Sequence, residues 1–169
     1  AIAVIAAGST CALLWSSFPP RRTPETAFFF LLPAIIWFSR KPSYRSVAAS
    51  FLVGGYLMHM AIFFWLRNVA VSALLSGILF PTLYLLAWFL LARWTVPRVL
   101  ESNLGKRLAG MLLLAAAWTG IEWLRCQFTL GFPWLPLAAS QWQRPVILQI
   151  APWTGAWAIS FFLIFFNLA

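Results

Sequence analysis

The sequence predicts an all-α, polytopic membrane bundle of about six transmembrane helices, and three observations carry that prediction. Hydrophobic residues make up 63% of the 169 positions and charged residues only 9%, where a soluble domain carries roughly 25% charged residues. The apolar residues gather into six runs, most of them near the roughly 20 residues that a helix needs to cross a bilayer. The Lys and Arg residues sit singly or in pairs between those runs, where membrane-end anchors belong. Nowhere does the alternation of a membrane β-barrel appear.

In chain order, the first run covers 1–18 and is closed by Pro19-Pro20 and Arg21-Arg22. The second, 26–38, is short for a span and holds Pro33, which predicts a kinked or shallow helix whose freed carbonyl is satisfied by neighbours; Arg40-Lys41-Pro42 closes it. The third, 47–66, is free of Pro, carries Gly54-Gly55 for close helix contact, and exits at Trp65 and Arg67. The fourth, 70–91, has Pro81 inside it, which predicts a bend, and Arg93, Trp94 and Arg98 cap it. Glu101 to Arg107 is the polar connection. The fifth run, 108–124, ends in Glu122-Trp123-Leu124-Arg125, after which the chain turns through Gly131-Phe132-Pro133-Trp134. The sixth, 146–169, contains Pro152 and Gly155 and is still apolar at Ala169. The chain starts without Met and is expected to be a fragment, with a further domain after position 169; no cleavable signal peptide is evident.

Charge bears on partners and orientation. A net charge of +9 would suit nucleic acid only if the basic residues were clustered, and their scatter excludes that class. The loops after the second and fourth runs hold Arg40, Lys41, Arg45, Arg93, Arg98, Lys106 and Arg107. The opposite side holds Arg21, Arg22, Arg67, Arg125 and Arg144. The heavier side is expected in the cytoplasm, which makes the amino end cytoplasmic and turns the Gly131–Trp142 segment outward. Cys11 and Cys126 read as small buried residues, with neither disulfide nor metal-ligand spacing.

Few residues are placed to carry chemistry. Of three acids, Glu122 alone lies within an apolar run, where a carboxylate is costly and is paired or functional. Arg125, three residues on, shares its helix face. The two read either as a structural ion pair or as a site where Arg125, with Arg67 or Arg144, holds a lipid phosphate through its planar fork while Glu122 orients it. His59, among Leu57, Met58, Met60 and Ile62, reads as an interhelix hydrogen-bond donor, or more weakly as a metal or pigment ligand, with no second ligand at matching spacing. Gly131-Phe132-Pro133-Trp134 reads as an interfacial turn or a lipid-facing element, and Ser140 and Gln141 offer hydrogen bonds to a headgroup. No catalytic triad, phosphate-cradling Gly loop or carboxylate pair can be assembled, and no cofactor or metal is implied.

Taken in order, Phe18-Pro19-Pro20, Gly54-Gly55 leading to Trp65, Glu122-Trp123-Leu124-Arg125, Gly131-Phe132-Pro133-Trp134 with Ser140-Gln141, and Gln149-Ile150-Ala151 running into Gly155 and Ser160 resemble apolipoprotein N-acyltransferase, over its amino-terminal membrane domain only. The resemblance implies an enzyme of the bacterial inner membrane that moves an acyl chain from a phospholipid to the amino group of a diacylglyceryl-modified cysteine on a lipoprotein. It further implies that the chemistry belongs to a Glu, Lys and Cys set on a nitrilase-like domain beyond this sequence, so that Cys11 and Cys126 match no nucleophile. On that matching Gly131, Phe132, Pro133 and Trp134 line a lipid entrance, braced by Glu122 and Arg125. The sequence departs from the family where Ala138-Ala139 replaces a Gly-Tyr pair before Ser140-Gln141, removing an aromatic wall and a hydroxyl from the expected headgroup contact. A non-catalytic subunit of a larger membrane complex, derived from the same fold, is the rival reading. A channel or transporter fits less well, because repeated broken helices and more intramembrane polar residues are missing.

Overall fold

A computed structural model of the chain describes residues 1–19, 21, 23–127 and 134–169. The described residues are helical throughout, with no strand: α1 (Ile2–Ser16), α2 (Leu32–Ser39), α3 (Tyr44–Ile62), α4 (Val71–Gly77), α5 (Leu79–Leu100), α6 (Leu104–Gln127), α7 (Pro145–Leu148) and α8 (Ala151–Leu168), with 3-10 turns at Pro24–Phe28, Phe64–Asn68 and Leu137–Gln141. Two helical stretches, Leu74–Leu100 and Ala151–Leu168, are long and apolar enough by length and composition to cross a membrane.

The prolines explain where the helices differ from the apolar runs. Pro33 does not kink a helix; it stands in the first turn of α2, where its missing N–H would have had no partner. The second run is therefore two pieces, a 3-10 turn and a short helix. Pro81 likewise falls in the first turn of α5 rather than bending its middle, and the run before it forms the separate α4. Once started, α5 continues past Arg93, Trp94 and Arg98 to Leu100, with Pro97 inside its last turn. Only Glu101 to Asn103 is left between α5 and α6, so Lys106 and Arg107, expected in a loop, stand on the first turns of α6. The last run is also divided, because Gly155 adopts φ 68° and ψ −175° within α8, a backbone conformation open to glycine.

Small residues set which helices lie side by side. A Cβ at Gly54 would meet Cys11 Sγ of α1 at 3.3 Å, and one at Gly55 would meet Leu85 of α5 at 3.3 Å. The pair therefore places α3 between two neighbours. A Cβ at Gly110 would overlap the Val99 side chain, which brings α6 hard against α5. α6 then packs on α8, and α2 lies over α1 and α5. Aromatic rings fill the interior: Phe51 stacks on Phe89 with centroids 3.6 Å apart, and Phe38 meets both edge-on. Some buried polar groups are paired across helices, as Trp88 Nε1 donates to Leu114 O at 2.9 Å. The outside is apolar too, with Val4, Ile5, Val53, Leu57, Phe162 and Phe166 each more than half exposed. Helices apolar on both faces belong in a large core or in lipid.

Candidate functional site: the α6 end and the returning chain

The site lies where α6 ends and the chain returns at Trp134. Glu122 and Arg125 are both buried on α6, yet no ion pair between them is found among the described residues. Instead each grips the backbone of the returning segment. Glu122 Oε1 accepts from Leu137 N at 2.6 Å and from Trp118 Nε1, one turn back on α6, at 2.8 Å. Arg125 Nη2 donates to Leu135 O at 3.4 Å. Between those contacts Leu135 holds φ 55°, a left-handed conformation that costs a non-glycine residue on the order of 1–3 kcal/mol and persists where its surroundings impose it. Two charged side chains spaced three apart thus fasten a strained turn, where the sequence offers either an ion pair between them or a phosphate site.

Beneath the turn is a cavity of about 60 Å³ whose lining includes His59, Tyr84, Trp118, Glu122 and Arg125. Since roughly 10–15 Å³ of such space suffices for one water, it has room for a handful of waters. Glu122 Oε2 and Arg125 Nε are buried without a hydrogen-bond partner among the described residues. These are groups that internal water would satisfy.

His59 belongs to the same cavity. Its Nδ1 lies 2.9 Å from Thr82 Oγ1, and that hydroxyl donates in turn to Ile78 O at 2.8 Å. With either ring nitrogen carrying the proton, the Nδ1–Thr82 hydrogen bond ties α3 to α5. Among the described residues no group of three His, Cys, Asp or Glu side chains could hold a metal.

Ser140 and Gln141 face inward. Ser140 Oγ donates to Leu137 O at 2.6 Å, and Gln141 Nε2 donates to Pro24 O at 3.0 Å and to Ser140 Oγ at 2.9 Å. The pair, expected to meet a headgroup, joins the 3-10 turn at 137–141 to the one at 24–28. Ala138 N donates to Ser160 Oγ of α8. Trp134 stands at the rim, 39% exposed, its ring 5.4 Å from Trp65 and 6.0 Å from Phe63. Gly131, Phe132 and Pro133 lie outside the described residues. Of the arginines considered beside Arg125, Arg144 pairs with Glu25 and Arg67 lies over the Phe64 ring at 4.0 Å.

One residue that sequence reasoning passed over is Asn167. It is buried on α8, donates through Nδ2 to Ala27 O at 2.8 Å and accepts from Leu31 N at 3.0 Å, closing the break ahead of α2. A lone amide in an apolar run was the available signal.

The profile described as apolipoprotein N-acyltransferase N-terminal domain matches residues 10–169. Apolipoprotein N-acyltransferase of Rhodopirellula baltica is 28% identical over 97% of this chain and 30% of its own length. The Pseudomonas syringae protein of that name is 41% identical over 54% of this chain and 18% of its own, and the Geobacter metallireducens one 26% identical over 92% and 30%. The chain thus spans less than a third of these relatives' length. No solved structure matches. The chain belongs to the family of apolipoprotein N-acyltransferase N-terminal domains.

Proposed function

We propose that this chain is the membrane part of an apolipoprotein N-acyltransferase of the bacterial inner membrane, admitting phospholipid and diacylglyceryl lipoprotein to a catalytic domain that lies outside these residues. The observation that carries the reading is the family match over residues 10–169. On it, the chain crosses the bilayer about six times, α2 with the turn before it and α4 with α5 each serving as one crossing.

The site residues then divide by role. Gly131, Phe132, Pro133 and Trp134 are assigned to lipid contact. Glu122, Arg125, Ser140 and Gln141 act behind Trp134, with Glu122 and Arg125 holding the backbone at Leu137 and Leu135 and with Ser140 and Gln141 tying the 137–141 turn to itself and to Pro24. The amino end is cytoplasmic and the Trp134 rim faces outward, a reading supported by seven basic residues at the far end of the bundle. Acyl transfer itself needs a nucleophile to carry the acyl group between two substrates. No residue of this chain is assigned that part.

The test uses the full-length polypeptide that contains this segment, reconstituted with a phospholipid carrying a labelled acyl chain and a diacylglyceryl lipopeptide with a free cysteine amine. Mass spectrometry should find the label on that amine. An unmodified lipopeptide under conditions where the protein is folded would sink the proposal.

A further inference from the structure

The end of the bundle remote from Trp134 has a site of its own. There α2 and α5 end and α3 and α6 begin, gathering Arg40, Lys41, Arg45, Arg93, Arg98, Lys106 and Arg107 with Glu101 as the one acid. Among them is an open cavity of about 360 Å³ lined by Lys41, Tyr44, Arg93, Pro97, Arg98 and Glu101. That size lies at the lower end of small-ligand sites, and its three cations outnumber its one carboxylate.

The cations are positioned rather than loose. Arg93 donates from Nε to Pro42 O at 2.6 Å, and its guanidinium lies 5.0 Å from the centre of the Tyr44 ring. Arg98 lies over the Trp94 ring at 4.5 Å and donates to Trp94 O. A guanidinium has five N–H donors, and the hydrogen bonds described for each of these use one nitrogen. Lys41 stands just past the end of α2 with φ 52°, its N–H on Phe38 O. Glycine is the residue that takes this capping position without strain, so a lysine there is kept at a cost, and its Nζ reaches Glu101 at 2.6 Å. Tyr44, which lines the cavity, and Trp94, under the Arg98 guanidinium, are each nearly half exposed, as amphipathic rings are at headgroup depth.

We propose that this cavity seats the phosphodiester of an anionic phospholipid headgroup, on the side of the bundle away from the Trp134 rim. Arginine supplies paired donors to phosphate oxygens, and lysine a point charge. Glu101 holds Lys41 in place and lowers the positive charge by one, which keeps the seat exchangeable. The proposal rests on the reading that the chain spans a bilayer.

The test is native mass spectrometry of the full-length protein released from nanodiscs of equimolar phosphatidylglycerol and phosphatidylethanolamine, with acyl transfer measured on the same preparations. The wild type should retain phosphatidylglycerol preferentially. Replacing Lys41→Gln and Arg98→Gln together should cut that retention about five-fold or more per charge removed, with the phosphatidylethanolamine count, acyl transfer and thermal unfolding unchanged. Glu101→Gln should raise retention, an outcome that a purely structural ion pair would not give. Arg67→Gln, at the other end, should leave it as it was. Equal retention in wild type and double variant, or a loss with Arg67→Gln as large as with the double variant, overturns the seat while leaving the acyltransferase reading to its own assay. If millimolar inorganic phosphate strips the lipid as fully as the double variant does, the cavity takes free anions and the lipid assignment fails.

Discussion

Glu122 shows what a charged residue within an apolar helix is used for in this chain. Its Oε1 satisfies two buried donors, Leu137 N and Trp118 Nε1, and each would cost roughly 1–3 kcal/mol if left unpaired. Glu122→Leu should therefore destabilise the protein by about 2–5 kcal/mol, while Glu122→Gln, whose carbonyl can accept both bonds, should lose far less. Thermal unfolding in one detergent compares them, and equal losses would place the cause in charge rather than in the two acceptor contacts. The sequence marked Glu122 and Arg125 because ionisable groups at membrane depth stand out by their cost. It could not say which atoms they would grip, since their partners, Leu135 O and Leu137 N, are backbone groups that any residue carries. The same limit concealed the inward turn of Ser140 and Gln141: a polar side chain near a helix end looks alike whether it faces a headgroup or the carbonyl of Pro24.

At the scale of elements, glycines and prolines determine the layout. Gly54-Gly55 could be read as a contact point because adjacent small residues in an apolar helix have few other uses. Gly110 was not marked, since one glycine among the small and apolar residues of 108–124 gives no hint that Val99, across a three-residue connection, occupies its missing side chain's place. Gly110→Ala should separate α5 from α6 and cost about 1–3 kcal/mol as an overpacked contact. Gly120→Ala, with nothing within 4 Å of the new Cβ, should be neutral or stabilise by up to about 1 kcal/mol. Paired unfolding curves check this; similar shifts for both would mean that helix propensity governs α6 and the close approach does not. Prolines were legible as interruptions but not as starts. Pro33 and Pro81 each lie well within an apolar run, and hydropathy alone cannot tell a bend from a first turn. Tertiary contacts settle the matter, as when Asn167 holds Ala27 O and Leu31 N and allows the chain to break before α2.

At the scale of the whole molecule, the all-helical class and the family were legible, because composition, run length and the ordered motifs agree with one another. The broken elements were not, because they depend on which backbone groups find partners in three dimensions. The fold gathers the basic residues of Arg40–Arg45, Arg93–Arg98 and Lys106–Arg107 at one end and Trp134 at the other, and the proposed function puts these ends on opposite sides of a membrane. Sided cysteine labelling tests it most directly. In the full-length protein, with Cys11, Cys126 and any other cysteine replaced, Gly105→Cys and Gln143→Cys are introduced singly at exposed positions. Intact inner-membrane vesicles of known orientation are then treated with a membrane-impermeant maleimide. Gln143→Cys should react from the periplasmic face and Gly105→Cys only from the cytoplasmic face. Reaction of both from one face would contradict the claim that the bundle spans the bilayer, and the reverse pattern would contradict its orientation.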